Sequence, residues 1–175
     1  FMCPGKVTIP SPEAYAETMA SVNVVVDIDK RRQMTATAVA AAAAAMGGQV
    51  LPDEELLDIV TNLVETPIAT AGKFDDIFLD VPKEILITAM REHQKYFAVI
   101  DAAGRLMPGF IAVNNTRTRD MDLVATGHER VLRARLSDAR FFYTSVVLVL
   151  LEDWVKNLKG VFFQAKLVSM YDQVM

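Results

Sequence analysis

The sequence predicts an α+β fold in which helices pack around a small antiparallel sheet and run on into a long helical region. Three observations predict it. Residues 11–65 carry helix-favouring runs with apolar positions three and four apart, the spacing of one face of a helix. Residues 66–119 hold short β-prone runs separated by turn residues, with Gly104 between two of them. From Asp120 to about Lys159 the reading is helical again. Mixed helices and short antiparallel strands are the signature of this class. The expected parts are a mainly helical segment over 1–65, a small sheet with one helix over 66–119, and a helical region over 120–175, joined as one compact fragment.

Taken in order, "VTIPSPEAYAETM" reads as a short strand and then a helix, with Ser11 as N-cap and Pro12 at the first helical position. "DIDKRRQMTATAVAAAAAAMGG" reads as a long helix ended by Gly47 and Gly48, since alanine is the best helix former and glycine a common terminator. Its run from Ala40 to Ala45 reads as a closely packed face. "LPDEELLDIVTNLVE" is a further helix with one stripe made of Leu56, Leu57, Val60, Leu63 and Val64. "TPIATAGKF" and "IFLDV" read as strands. Pro82 opens the helix "PKEILITAMREHQ", and "KYFAVID", "AAGR" and "LMPGFIAVNN" read as strand, turn and returning strand.

Composition narrows the function classes. Of 175 residues, 52% are hydrophobic and 23% charged, a globular balance that can bury a core without staples. A net charge of -4 argues against a wholly basic nucleic-acid protein but leaves room for a local basic face. The single cysteine, Cys3, excludes an internal disulfide framework and points to a reducing compartment. No segment reaches the roughly 18 to 20 apolar residues that cross a bilayer, and the first ten residues lack a signal-peptide pattern. The chain opens on Phe1 and ends at "SMYDQVM", which reads as a piece of something larger.

No self-sufficient active site is legible. Gly-rich phosphate loops and the Gly-x-Ser-x-Gly elbow are absent. Two distant histidines and one cysteine make no metal site, and acid pairs such as Asp75–Asp76 read as caps and loops. His93 and His128 read as structural hydrogen-bonding residues. The expectation is therefore no catalytic residue and no metal ligand.

Two stretches stand out. On a wheel of about 100° per residue, residues 128–143 place Val131, Leu132, Leu136, Ala139, Phe142 and Tyr143 on one broad arc and Arg130, Arg133 and Arg140 opposite. Arg135 falls inside the apolar arc; if buried it needs a carboxylate, with Asp138 the local candidate. The arginine face reads either as a phosphate-contact surface or as a solvated face. "REHQKYF" adds Arg91 and Lys95 beside Tyr96 and Phe97, a mixture that suits RNA or, equally, the start of a buried strand. Beyond the arginines, "TSVVLVLLEDW" brings Val146, Val147, Leu150, Leu151 and Trp154 together, too short a run to span a membrane and apolar enough to form an interface.

"VPKEILITAMREHQKYFAVIDAAGRLMPGFIAV" and "GHERVLRARLSDARFFY", with the following "LEDWVKNLKGVFFQAKLVSMYD", resemble the beta subunit of bacterial glycyl-tRNA synthetase. Its pattern Gly-x-Glu-x-Val-Leu-x-Ala-Arg-Leu-x-Asp-Ala-x-Phe-Phe is filled here by Gly127, Glu129, Val131, Leu132, Ala134, Arg135, Leu136, Asp138, Ala139, Phe141 and Phe142. The likeness covers roughly residues 65 to 175; the earlier helices fit it less distinctively. It implies a cytoplasmic ligase of two alpha and two beta subunits. In it, alpha carries aminoacylation with ATP and magnesium, and beta binds tRNA and supports alpha. The chain resembles an internal part of beta, in a region likened to the editing-type domain of the phenylalanyl enzyme's beta subunit. It is expected to have no cofactor and no ligase activity of its own; tRNA and the alpha subunit are the implied partners. The sequence departs from the family at "TSVVLVLL", at Trp154 and at Lys166-Leu167-Val168, where polar surface becomes apolar. Engineering on a natural scaffold and natural divergence both remain open as its origin. A second function, a protein-interaction or self-assembly module built on the apolar helix near 144–158, stands beside the first. A third, an editing hydrolase, has no residues to name.

Overall fold

The computed structural model describes residues 5–147, 155–156 and 158–161. The chain divides into two compact units, Phe1–Ser137 and Asp138–Met175.

The first unit is built on a four-stranded antiparallel sheet covered by helices, so the α+β expectation holds. Helix α1 (Tyr15–Ser21) leads to α2 (Ile28–Ala45), β1 (Gln49–Val50), α3 (Glu54–Leu63) and β2 (Ile68–Lys73). A 3-10 helix (Asp76–Asp80), α4 (Lys83–Thr88) and a π-helical turn (Ala89–Gln94) follow. Then come β3 (Phe97–Ile100), β4 (Leu106–Asn114) and α5 (Met121–Val147). The sheet order is β1-β3-β4-β2. β3 and β4 form the expected hairpin. Gly104, at φ 76°, makes its turn, and Asp101 Oδ1 accepts from the N–H groups of Ala103 and Arg105 at 2.9 Å each.

Both faces of this sheet are covered, and strand alternation decides what goes where. Phe97, Val99 and Ile111 point to one face and pack with Val39 and Ala43 of α2 and Leu56, Leu57 and Val60 of α3. Ala69, Ala71 and Val113 join the same cluster. The alternate residues face the other way. There Tyr96 stacks on Phe110 at 4.7 Å, and Gly72 leaves room for the Phe110 ring, which a Cβ at 72 would meet at 2.4 Å. The α5 helix covers this second face with Leu132 and Leu136, both fully buried.

Helix ends follow the capping logic. Asp27 Oδ1 accepts from Lys30 N at 3.0 Å, and Asp53 Oδ1 from Leu56 N at 2.8 Å. Helix α2 stops at Met46, beyond which Gly47 turns left-handed at φ 81°. Of the alanine run, Ala43 is fully buried and Ala42 partly so, while Ala40, Ala41, Ala44 and Ala45 face solvent, so the packed face is a single stripe.

Five sequence expectations are corrected. Residues 7–9 form no strand; Pro10 and Pro12 withhold backbone donors there. Ser11 caps a turn instead of the helix (Ala14 N to Ser11 Oγ, 3.4 Å), and α1 begins at Tyr15. "IFLDV" is a 3-10 helix, closed by Phe78 N to Asp75 O and Val81 N to Phe78 O at 3.0 Å each. The three-residue step buries Phe78 and Val81 and leaves Ile77 and Leu79 outside. On α3, Leu63 is 63% exposed, and Thr61 takes the buried position beside Val60. Arg135 is exposed and needs no carboxylate; the apolar arc drawn from spacing merged two separate faces of α5.

Two leucines nine residues apart on α5 test this division. Leu132→Ala should destabilise the chain by about 3 kcal/mol through a core cavity. Leu123→Ala, at an exposed site, should cost under about 0.5 kcal/mol. Urea unfolding midpoints of the two variants measure the contrast; equal losses would contradict the assignment of the buried face.

Candidate functional site

A cleft of about 580 Å³ opens between α3 and α5. Val60, Leu63 and Val64 wall one side and Val124, Gly127 and Val131 the other. At one end stand Gln94 and Lys95, and Tyr96, Asn114 and His128 complete the lining. Each polar group arrives there by a local backbone decision. The π-helical turn ends at Lys95, which adopts the left-handed conformation at φ 56° and closes through Lys95 N to Arg91 O at 3.1 Å. This reversal sends Tyr96 and Phe97 straight into the sheet. Non-glycine residues rarely take this conformation, and π-helical turns concentrate at functional positions.

His128 sits at the centre of a hydrogen-bond chain whose direction can be read from its ends. Asn114 Nδ2 donates to Thr70 Oγ1 at 2.8 Å and reaches the Ile68 carbonyl at 3.5 Å. A carbonyl only accepts, so that atom is the amide nitrogen. Asn114 Oδ1 therefore accepts from His128 Nε2–H at 2.9 Å, leaving Nδ1 as a lone pair that accepts from the Tyr96 hydroxyl at 2.7 Å. The imidazole is neutral in this tautomer, and burial lowers its pKa in the same direction. Burial also pushes the Tyr96 phenol up to about 12, so it stays a donor. His128 is thus the structural hydrogen-bonding residue the sequence suggested; His93 is exposed.

Glu129, next along α5, accepts from Lys73 N at 2.8 Å. Lys73 ends β2, an edge strand, and this contact closes one outward donor of that edge. Arg133 reaches Asp75 at 3.3 Å between two exposed side chains. His128, Glu129 and Arg133 together pin α5 across the sheet.

The predicted contact residues separate by what already holds them. Arg91 is engaged by Asp53 at 2.7 Å and by Glu55 and Glu92, and these carboxylates raise its pKa. Its role here is to tie the π-helical turn to α3. Asp53 answers it: burial pushes that carboxyl up, but the Leu56 N–H and Arg91 bring it below its ordinary value overall. Arg32 holds Glu54 and Asp58 in the same way, linking α2 to α3. Lys95 lies 3.8 Å from Glu92 at the cleft end. Arg130 is exposed and makes no ion pair among the described residues, and Arg140 is half-buried. In the second unit, Val146 and Val147 are exposed, as are Phe141 and Phe142, whose rings meet at 5.6 Å. Leu150, Leu151 and Trp154 lie outside the described residues. The cleft and the hydrogen-bond chain escaped the sequence reading, because Tyr96, Asn114 and His128 meet only across the sheet.

Among the described residues no three His, Cys, Asp or Glu side chains gather to hold a metal ion, and no helix is long and apolar enough to cross a membrane. The arrangement offers hydrogen bonding and apolar contact, and the histidine in the cleft has both nitrogens occupied.

The sequence matches the glycyl-tRNA synthetase beta subunit family over residues 1–175. Its relatives include the glycine–tRNA ligase beta subunit of Desulforapulum autotrophicum, 54% identical over 173 residues. That of Desulfatibacillum aliphaticivorans is 53% identical over 174 residues; each match covers 99% of this chain and 25% of the relative. The Syntrophotalea carbinolica subunit is 47% identical over 175 residues, all of this chain and 25% of its own length. The chain thus spans about a quarter of the curated relatives it matches.

The histidine makes a pH prediction. With a folded pKa below its ordinary value of about 6.5, the unfolded chain takes up the proton first as pH falls. Unfolded protein then binds more protons than folded, so stability rises with pH in that window. Urea midpoints should fall from pH 7 downward until the folded pKa is passed. His128→Gln should remove that component of the slope; a slope unchanged in the variant would assign the effect elsewhere.

Proposed function

This chain belongs to the glycyl-tRNA synthetase beta subunit family, and from that premise we propose that it is a non-catalytic support module in glycine–tRNA ligation. It contacts tRNA phosphates and assembles with the alpha subunit in the cytoplasm, while alpha carries the aminoacylation chemistry with its ATP and magnesium. One observation carries the RNA half of this reading. Helix α5 is fixed to the sheet by Leu132, Leu136 and His128, and from this rigid base Arg130 points outward with no ion-pair partner among the described residues. Arg133 beside it has one long contact to an exposed carboxylate. Such exposed pairs contribute little and exchange readily for a phosphate, which a guanidinium binds in a two-pronged geometry. Arg91, held by three carboxylates, does not join them. With a net charge of -4, attraction to RNA is local to such a face.

Titration of tRNA with the Arg130→Ala, Arg133→Ala double variant tests it. Affinity should drop about tenfold, and the dependence of log affinity on log salt should become shallower by about one per arginine removed. Unchanged affinity and slope would reject phosphate contact through α5.

The exposed run Phe141, Phe142, Val146 and Val147 favours a second reading, self-assembly through the apolar end of α5. Sedimentation velocity across concentrations should then show association that salt does not disrupt. Replacing Val147 and Leu150 with lysine should abolish it, and an unaltered oligomer in that variant would dismiss this reading.

A further inference from the structure

The arginines of the first unit divide by whether something already holds them. Arg31 donates to the carbonyls of Thr61 and Val25. Arg32 pairs with Glu54 and Asp58, Arg91 with Asp53, Glu55 and Glu92, and Arg105 with Asp101. Arg117 and Arg119 are different: both are exposed, and neither makes a hydrogen bond or ion pair among the described residues. They stand one residue apart in "NNTRTRD", where β4 gives way to α5. A guanidinium without a carboxylate keeps all five of its donors for a ligand.

The loop that carries them is held at both ends. Asn115 Oδ1 accepts from Glu65 N at 2.6 Å and from Thr66 N at 3.1 Å, which fixes its start to the chain leaving α3. That chain is itself tied down: Val25 N donates to Glu65 O at 3.0 Å, and the Thr66 hydroxyl donates to Asn23 O. At the far end Thr118 Oγ1 donates to Asp120 O at 2.9 Å, and Asp120 Oδ1 caps α5 by accepting from Leu123 N at 2.9 Å. The carboxylate next to Arg119 is thus turned to the helix backbone. Anchored ends reduce the ordering that binding must impose on a loop.

Position along the helix names the ligand. Arg119 directly precedes the cap, and Arg130 lies ten residues beyond it, about 15 Å further at 1.5 Å per residue. Arg133 follows within one turn. One phosphate cannot touch both ends of such a span, whereas a row of phosphates can.

We propose that the β4–α5 loop is a second phosphate-contact site, where Arg117 and Arg119 hold the backbone of an RNA strand that runs on along α5 to Arg130. The site rests on the phosphate-contact reading of α5 and extends it to residues outside that helix.

The test is titration of tRNA with the whole 175-residue chain at several salt concentrations, with thermal unfolding of each variant. The Arg117→Ala, Arg119→Ala pair should unfold at the parent's midpoint, since both side chains are exposed and unpartnered. Its affinity should drop about tenfold, and its dependence of log affinity on log salt should become shallower by about one to two. The Arg117→Lys, Arg119→Lys pair should keep the parent's salt dependence, because the charges remain. An alanine pair with the parent's affinity and slope overturns the loop site; if the Arg130→Ala, Arg133→Ala variant still weakens, the α5 reading stands. A lysine pair whose slope falls as far as the alanine pair's overturns phosphate contact by the loop. A mononucleotide that binds the parent as tightly as tRNA does overturns the extended strand, and a parent chain that ignores tRNA overturns both readings.

Discussion

The first unit depends on the need to cover a small sheet on both faces. A four-stranded sheet with one open face would leave Phe110, Ala112 and Tyr96 in water, and all three are buried. Helices α2 and α3 close one face with a cluster of apolar side chains. The other is closed by α5, which brings two leucines and a polar anchor. That anchor works because its polarity is determined from one end. The Ile68 carbonyl orients the Asn114 amide, the amide selects the imidazole tautomer, and the imidazole accepts from Tyr96. Every member has a partner, so the chain adds specificity of placement without leaving a buried polar group unsatisfied.

Charge is distributed by the same division of labour. Arg31, Arg32 and Arg91 bind parts of the first unit together. Arg31 donates from Nε to the Thr61 carbonyl at 2.9 Å and also bonds Val25 O, so the chain entering α2 is tied to the end of α3. Arg32 and Arg91 gather the acids of α3 from opposite sides. Arg130, Arg133 and Arg135 of α5 are exposed. A count of basic residues along the sequence treats these groups alike, whereas their carboxylate neighbours separate scaffold from available surface.

The motif shared with the glycyl-tRNA synthetase beta subunit family acquires a physical meaning from this arrangement. Leu132 and Leu136 are core, Glu129 closes the end of an edge strand, and Gly127 and Val131 line the cleft. Arg135 contributes to the solvent face. One short segment thus serves the core, the sheet edge and the open surface, because successive helix residues turn by about 100° and reach different neighbours.

By itself the sequence determined what is local. The long helix of residues 28–45 with its Asp27 cap and Gly47 exit, the hairpin about Gly104 and the helical reading beyond Asp120 depend on propensity, capping and turn chemistry within a few residues. Its misreadings were of one kind. "IFLDV" has strand composition but no strand to pair with, so it winds into a 3-10 helix. The two-residue β1 is too short to leave a pattern and exists through β3. The faces of α5 could not be told apart, since one is covered by a sheet assembled from several distant stretches of chain and the other stays exposed among the described residues. Only the tertiary structure decided that Arg91 binds carboxylates, that His128 is neutral and that a cleft exists. Each of these follows from side chains brought together across long loops, and burial and pairing energies belong to those neighbours and are written in no single stretch of chain.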